Sequence, residues 1–188
     1  MNRIITFLRA TGRWPYLLLL LAMLIGFSGF MFPWAEEKLL GYGGPDAKVL
    51  DLRFGFSAVD ANRLFEGLGE EGRSFYQMVE LTLDLVYPIV YSLFLAALLS
   101  LILRKILPEN SPWRWLVLIP FATAIFDYLE NLGIVLLLRR FPASGDAIAG
   151  FASFAGMGKW SLFGLTALLI LGGLLLWGYK QITLKLRP

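Results

Sequence analysis

Four stretches of this 188-residue chain stay apolar for long enough to cross a membrane. A spanning helix needs about 20 mostly apolar residues to cover a hydrocarbon layer of about 30 Å. The first stretch runs from Pro15 to Trp34, the second from Leu81 to Leu103, the third from Trp113 to Leu138 and the fourth from Trp160 to Tyr179. Trp14, Trp34, Trp113, Trp115, Trp160 and Trp177 all fall near these ends. Amphipathic rings favour the headgroup layer, so their positions support the boundaries. The basic start of the first stretch also fits a signal peptide. Its apolar run is long for one and no small-x-small site precedes Glu36, so a retained span is expected.

The connections carry patterns of their own. Between spans one and two, Gly41 to Pro45 is a breaker cluster. Val49 to Phe56 alternates, with apolar Leu50, Leu52, Phe54 and Phe56 around Asp51 and Arg53, which predicts an extended segment. Ser57 and Asp60 are spaced as a capping box with Asp in place of Glu. Behind them Ala61, Leu64, Phe65 and Leu68 share one helical face, opposite Asp60, Arg63 and Glu66, and Gly67 and Gly69 are expected to stop the helix. Such a segment lies on the outer membrane face or caps the bundle. The link from Arg139 to Lys159 turns small and apolar from Ala147 to Met157. It reads equally as a re-entrant helix, an interfacial helix, or an extension of span four bent at Gly156 and Gly158.

Charge sets the expected orientation. Arg3, Arg9, Arg13, Arg104, Lys105, Arg114, Lys180, Lys185 and Arg187 lie on one side of the layer with Glu109 as their single acid. By the positive-inside rule that side, with both termini, is cytoplasmic. Composition agrees: 57% of residues are hydrophobic and 16% charged, against about 25% charged in average soluble proteins. With no His and no Cys, disulfides, thiolate or imidazole metal sites and His- or Cys-based catalysis are excluded. A net charge of +3 gives little support to nucleic-acid binding. Membrane lipids are the expected partners, with a homo-oligomer or a larger membrane complex as a further one. No cofactor and no metal is assigned.

The candidate chemistry lies inside the spans, where ionisable groups cost about 2.5–3.5 kcal/mol each on insertion scales and mark sites by default. Span two carries Glu80, Asp84, Tyr87 and Tyr91 at offsets of 4, 3 and 4, on one helical face. Glu80, at the end of that face, is expected to be solvated. Pro88 removes a backbone donor on the same stretch. Span three carries Thr123, Asp127, Glu130 and Asn131 on one stripe, with Tyr128 beside it, and Pro120 is expected to kink this helix. Antiparallel neighbours joined by a short link bring the two stripes together in the outer half of the layer, with Lys159 at the head of span four. Asp127 and Glu130 are the acid–base candidates. Asp84, Tyr87, Tyr91, Asn131 and Lys159 are the binding or structural members. Three uses follow: interhelical pairs that hold the bundle in register, a pocket that binds or chemically alters an amphiphilic molecule or lipid, and proton or cation transport. Elsewhere Ala22 and Gly26, and Ser161, Gly164 and Gly172, are small residues expected at close helix contacts.

The run Leu83-Asp84-Leu85-Val86-Tyr87-Pro88-Ile89-Val90-Tyr91, followed by Asp127-Tyr128-Leu129-Glu130-Asn131, resembles an uncharacterised group of small bacterial four-helix inner-membrane proteins. Asp51-Leu52-Arg53-Phe54, Gly69-Glu70-Glu71-Gly72-Arg73 and Lys159-Trp160 fit the same resemblance. It implies a bacterial inner-membrane location and brings no activity with it. The expected architecture is all-α: one membrane domain over 1–188, a four-helix bundle with an external amphipathic segment, 35–80, between spans one and two.

Overall fold

In the computed structural model, residues 14–45, 47–143 and 145–185 are described; they form helices, turns and loops, with no strand among them. Arg3, Arg9, Arg13, Arg187 and the side chain of Lys185, on which part of the expected orientation rests, lie outside the description.

Helix α1 spans Trp14–Gly26, a π-helical turn covers Phe27–Met31, and helix α2 spans Phe32–Gly43. The widened turn, with the Phe32 N–H reaching back to the Phe27 carbonyl, lies beside Pro33, which has no N–H for the Gly29 carbonyl. This first rod therefore continues past Trp34. Helix α3 spans Ala58–Ile106. Its start is a capping box: Asp60 N–H donates to Ser57 Oγ at 3.2 Å and Ser57 N–H to Asp60 Oδ2 at 2.8 Å. The bonds from Ser57 hold the Asp60 carboxyl below its ordinary value. Gly69, at φ 64°, divides α3 into two arms, a backbone state that side chains disfavour. Gly67 does not stop the helix as expected; the break falls at Gly69 alone.

Helix α4 spans Ile119–Arg140 and is entered through a 3₁₀ segment, Pro112–Leu118. Pro120 therefore sits in the first turn of α4, where its missing N–H has no intrahelical partner to lose, and does not kink the helix as expected. Helix α5 spans Asp146–Lys185. The stretch 146–158, which the sequence left open, is the first part of this helix, so Lys159 stands well inside it and not at its head.

Among the described residues, four helical runs are long and apolar enough to cross a membrane: Trp14–Gly43, Ala58–Ile106, Pro112–Arg140 and Asp146–Leu184. Helix α4 packs on both α3 and α5, while the first rod packs chiefly on α3. One core gathers the first arm of α3 (Ala61, Leu64, Phe65, Leu68), Leu50 and Phe56 of the preceding loop, Ile134 and Leu137 of α4, and Ala149 and Ala152 of α5. The amphipathic face is thus buried against other helices. At the other end Ala96, Leu99 and Leu103 pack with Val117.

Residues 47–57 are a loop, not the extended strand that the alternation suggested. With no partner strand the alternation is used differently: Leu50 and Phe56 are buried, while Leu52 and Phe54 are exposed. The expected small-residue contacts also move. A Cβ at Gly26, Gly164 or Gly172 meets open space, whereas at Gly156 it would strike the Glu130 carboxylate and at Gly158 the Phe126 ring. Those two glycines interrupt nothing; they let α5 approach α4.

Candidate functional site

The two acidic stripes lie on neighbouring helices, α3 and α4, and Lys159 reaches them from α5. Its Nζ is 2.5 Å from Glu130 Oε2 and 3.6 Å from Asp127 Oδ1. It also donates to the Asp51 carbonyl at 3.1 Å. The Tyr91 hydroxyl donates to the other Asp127 oxygen, Oδ2, at 2.9 Å. An ammonium group has three donors, and here three acceptors surround it.

A cavity of about 280 Å³ opens beside this cluster. The first rod covers it with Ser28, Phe32, Ala35, Glu36 and Leu39. From α3 come Tyr76, Val79, Asp84, Tyr87 and Tyr91; Asp127 comes from α4; Lys159, Trp160 and Phe163 come from α5. The loop closes one end with Val49, Asp51 and Leu52. Rings touch in sequence along one wall, from Phe32 to Tyr87 at 5.0 Å, Tyr87 to Tyr91 at 5.3 Å, Tyr91 to Phe163 at 6.1 Å and Phe163 to Trp160 at 6.1 Å. Most of the wall is apolar or aromatic, and the acids and the amine gather within it.

The expected site residues separate into three groups. Asp84, Tyr87, Tyr91, Asp127 and Lys159 line the cavity. Glu130 does not: it is fully buried, with Oε2 held by Lys159 and Oε1 without a hydrogen-bond partner among the described residues. Asn131 is backbone support. Its Nδ2 donates to the Asp84 carbonyl at 3.3 Å. Pro88, four residues on, has no N–H for that carbonyl. Tyr128 serves the next carbonyl, Leu85, at 2.8 Å. In an apolar medium the freed Asp84 carbonyl needs a partner, and α4 supplies it. Thr123 bonds its own helix at the Ile119 carbonyl.

Glu80 reverses its expectation. It is 3% exposed, and neither carboxyl oxygen has a hydrogen-bond partner among the described residues. The arm of α3 that carries it is packed inside the protein, so the end of the acidic face is not wetted. The sequence presents Asp51 as part of an alternating segment and of the Asp51-Leu52-Arg53-Phe54 motif, with no role in the site. Its carbonyl accepts from both Lys159 Nζ and Trp160 Nε1, each at 3.1 Å. Its Oδ1 accepts from the Tyr76 hydroxyl at 3.0 Å, which in turn accepts the Leu50 N–H at 3.0 Å. Nothing in local periodicity marks such a loop residue, because its role depends on a contact more than a hundred residues away. Among the described residues no group of three or more Asp or Glu is arranged to hold a metal ion.

Comparisons with family models, with curated proteins and with solved structures return no match.

Proposed function

We propose that this chain is a multi-pass integral membrane protein that binds an amphiphilic small molecule or lipid in the cavity between its first rod and helices α3, α4 and α5. The apolar surface supports the membrane setting: Leu18, Leu19 and Ile25 on α1 and Leu168, Leu171 and Leu175 on α5 are all more than half exposed. An aqueous surface of that kind would be an aggregation hazard, while lipid tails solvate it. The positive-inside pattern and the resemblance to small bacterial proteins give the rest of the reading: inner membrane, four spans, an external cap at 35–80 and cytoplasmic ends. Binding rests on one observation. The cavity has apolar and aromatic walls with a few convergent charged groups, the usual make-up of a small-molecule site. Its size is near the lower end of such sites, about 300–1,000 Å³, and suits a head group with the first part of a chain.

Filling the space tests this. In Val79→Phe the added ring occupies the cavity. Protein purified in nanodiscs is expected to lose its saturable uptake of amphiphiles by native mass spectrometry while keeping its helical content. Unchanged uptake contradicts the cavity as the binding place.

A second reading, a lipid-modifying enzyme, is favoured by the state of Asp127. It lies on the cavity wall with one oxygen bonded to Tyr91 and the other beside Lys159, an arrangement that orients a general acid or base. Glu130, behind Lys159, would then position the amine. Asp127→Asn would abolish turnover of a bound lipid while leaving its binding in place; conversion that survives the change removes this reading.

A further inference from the structure

We infer that the cavity takes an amphiphile whose head group is cationic and rich in hydrogen-bond donors, a primary ammonium or a close relative; this rests on the binding reading above. Donors and acceptors along the wall are unequally used. Lys159, the only basic residue there among the described residues, is engaged by Glu130, Asp127 and the Asp51 carbonyl. The Tyr91 hydroxyl gives its proton to Asp127, the Tyr76 hydroxyl to Asp51, and Trp160 Nε1 to the Asp51 carbonyl. Tyr87 and Ser28 share one hydrogen bond at 3.1 Å, so a single hydroxyl proton of that pair remains. Side-chain donors on the wall are therefore almost fully used inside the protein.

Acceptors are not. Asp84 is 8% exposed, its side chain lines the cavity, and its carboxylate has no hydrogen-bond or ion-pair partner among the described residues. A carboxyl group buried without a partner is costly to ionise, and a cationic donor arriving with a ligand would relieve that cost. Asp127, Asp51 and Glu36 add acceptor oxygens to the same wall. The ring series from Phe32 to Trp160 offers faces that attract a cation a second way. A phosphate, sulfate or carboxylate head would meet four acids and one amine already engaged. The same ammonium could belong to a single-chain amine or to a zwitterionic lipid; the acid-rich wall favours the former, since the latter brings a phosphate with it.

Four probes of matched chain length separate the outcomes in nanodiscs containing the full chain: tetradecylamine, tetradecyl sulfate, tetradecyl glucoside and a phosphatidylethanolamine. Native mass spectrometry and Trp fluorescence read binding. Tetradecylamine is expected to bind one to one and at least tenfold more tightly than each of the others, and Asp84→Asn to reduce that preference about tenfold. Equal or better binding of the sulfate or the glucoside overturns the head-group inference and leaves the cavity reading standing. Preference for phosphatidylethanolamine places the ammonium on a lipid and overturns the single-chain assignment. Saturable binding of none of the four contradicts the binding reading itself. The wild-type comparison carries the test even where Asp84→Asn does not fold.

Discussion

At the scale of single residues, the cluster is an ion-paired lysine surrounded by more acids than it can serve. Removing one member of a buried pair leaves the other charged and alone, which costs about 3–5 kcal/mol. Lys159→Met is therefore expected to lower unfolding stability in detergent by that order. Adding Asp127→Asn and Glu130→Gln is expected to recover most of it, because the stranded acids are then neutral. Failure of the triple variant to recover would mean that Lys159 acts mainly through the Asp51 carbonyl. Glu80 behaves in the opposite way. With neither oxygen bonded among the described residues, Glu80→Gln is expected to be neutral or stabilising by thermal melting. Most of the site was legible at this scale: ionisable side chains in apolar runs stand out, and their helical offsets place Asp84, Tyr87 and Tyr91 on one face without any structure. Asp51 was not, since a loop has no period from which to project a long-range contact.

At the scale of helices, α3 and α4 are joined through a defect. Pro88 frees the Asp84 carbonyl and Asn131 takes it. Asn131→Leu is expected to cost about 1–3 kcal/mol in the native background, the range for a buried acceptor left unsatisfied. In a Pro88→Ala background, where residue 88 regains its N–H, that cost is expected to shrink; a double-mutant cycle with no coupling would contradict the pairing. Close approach gives a second contrast. Gly156→Ala drives a methyl into Glu130 and is expected to destabilise, whereas Gly164→Ala, facing open space, gains helix propensity of up to about 1 kcal/mol. Both are glycines inside one long helix, and the sequence points to Gly164 as the close contact and to Gly156 as a bend, whereas the contact is at Gly156. It reads that some small residues mark contacts; it cannot say which, because that depends on how two helices are rotated against each other. The same limit explains Pro120 and the stretch 146–158, whose roles depend on where a helix begins and not on its composition.

At the scale of the whole molecule, hydropathy was the strongest signal, and the four apolar runs all appear as helices. The helices exceed the apolar runs that predicted them, because polar ends continue the same hydrogen-bonded backbone. Orientation is testable directly, since the chain has no native cysteine. A single cysteine in place of Arg187 is expected to react with an impermeant reagent only from the cytoplasmic side; labelling from outside reverses the topology. Transport is the remaining use of the carboxylates, and a proton flux in proteoliposomes lost in Asp127→Asn would replace binding with it. The central claim is that acids from α3 and α4 and the amine from α5 face one shared cavity that holds a ligand. An experimental density map of the protein in lipid nanodiscs tests it most directly. An elongated density is expected between the first rod and α5, its head within hydrogen-bond distance of Asp84. A map with the first rod closed onto α3, no space beside Asp127, and Asp84 turned away toward bulk water would contradict it.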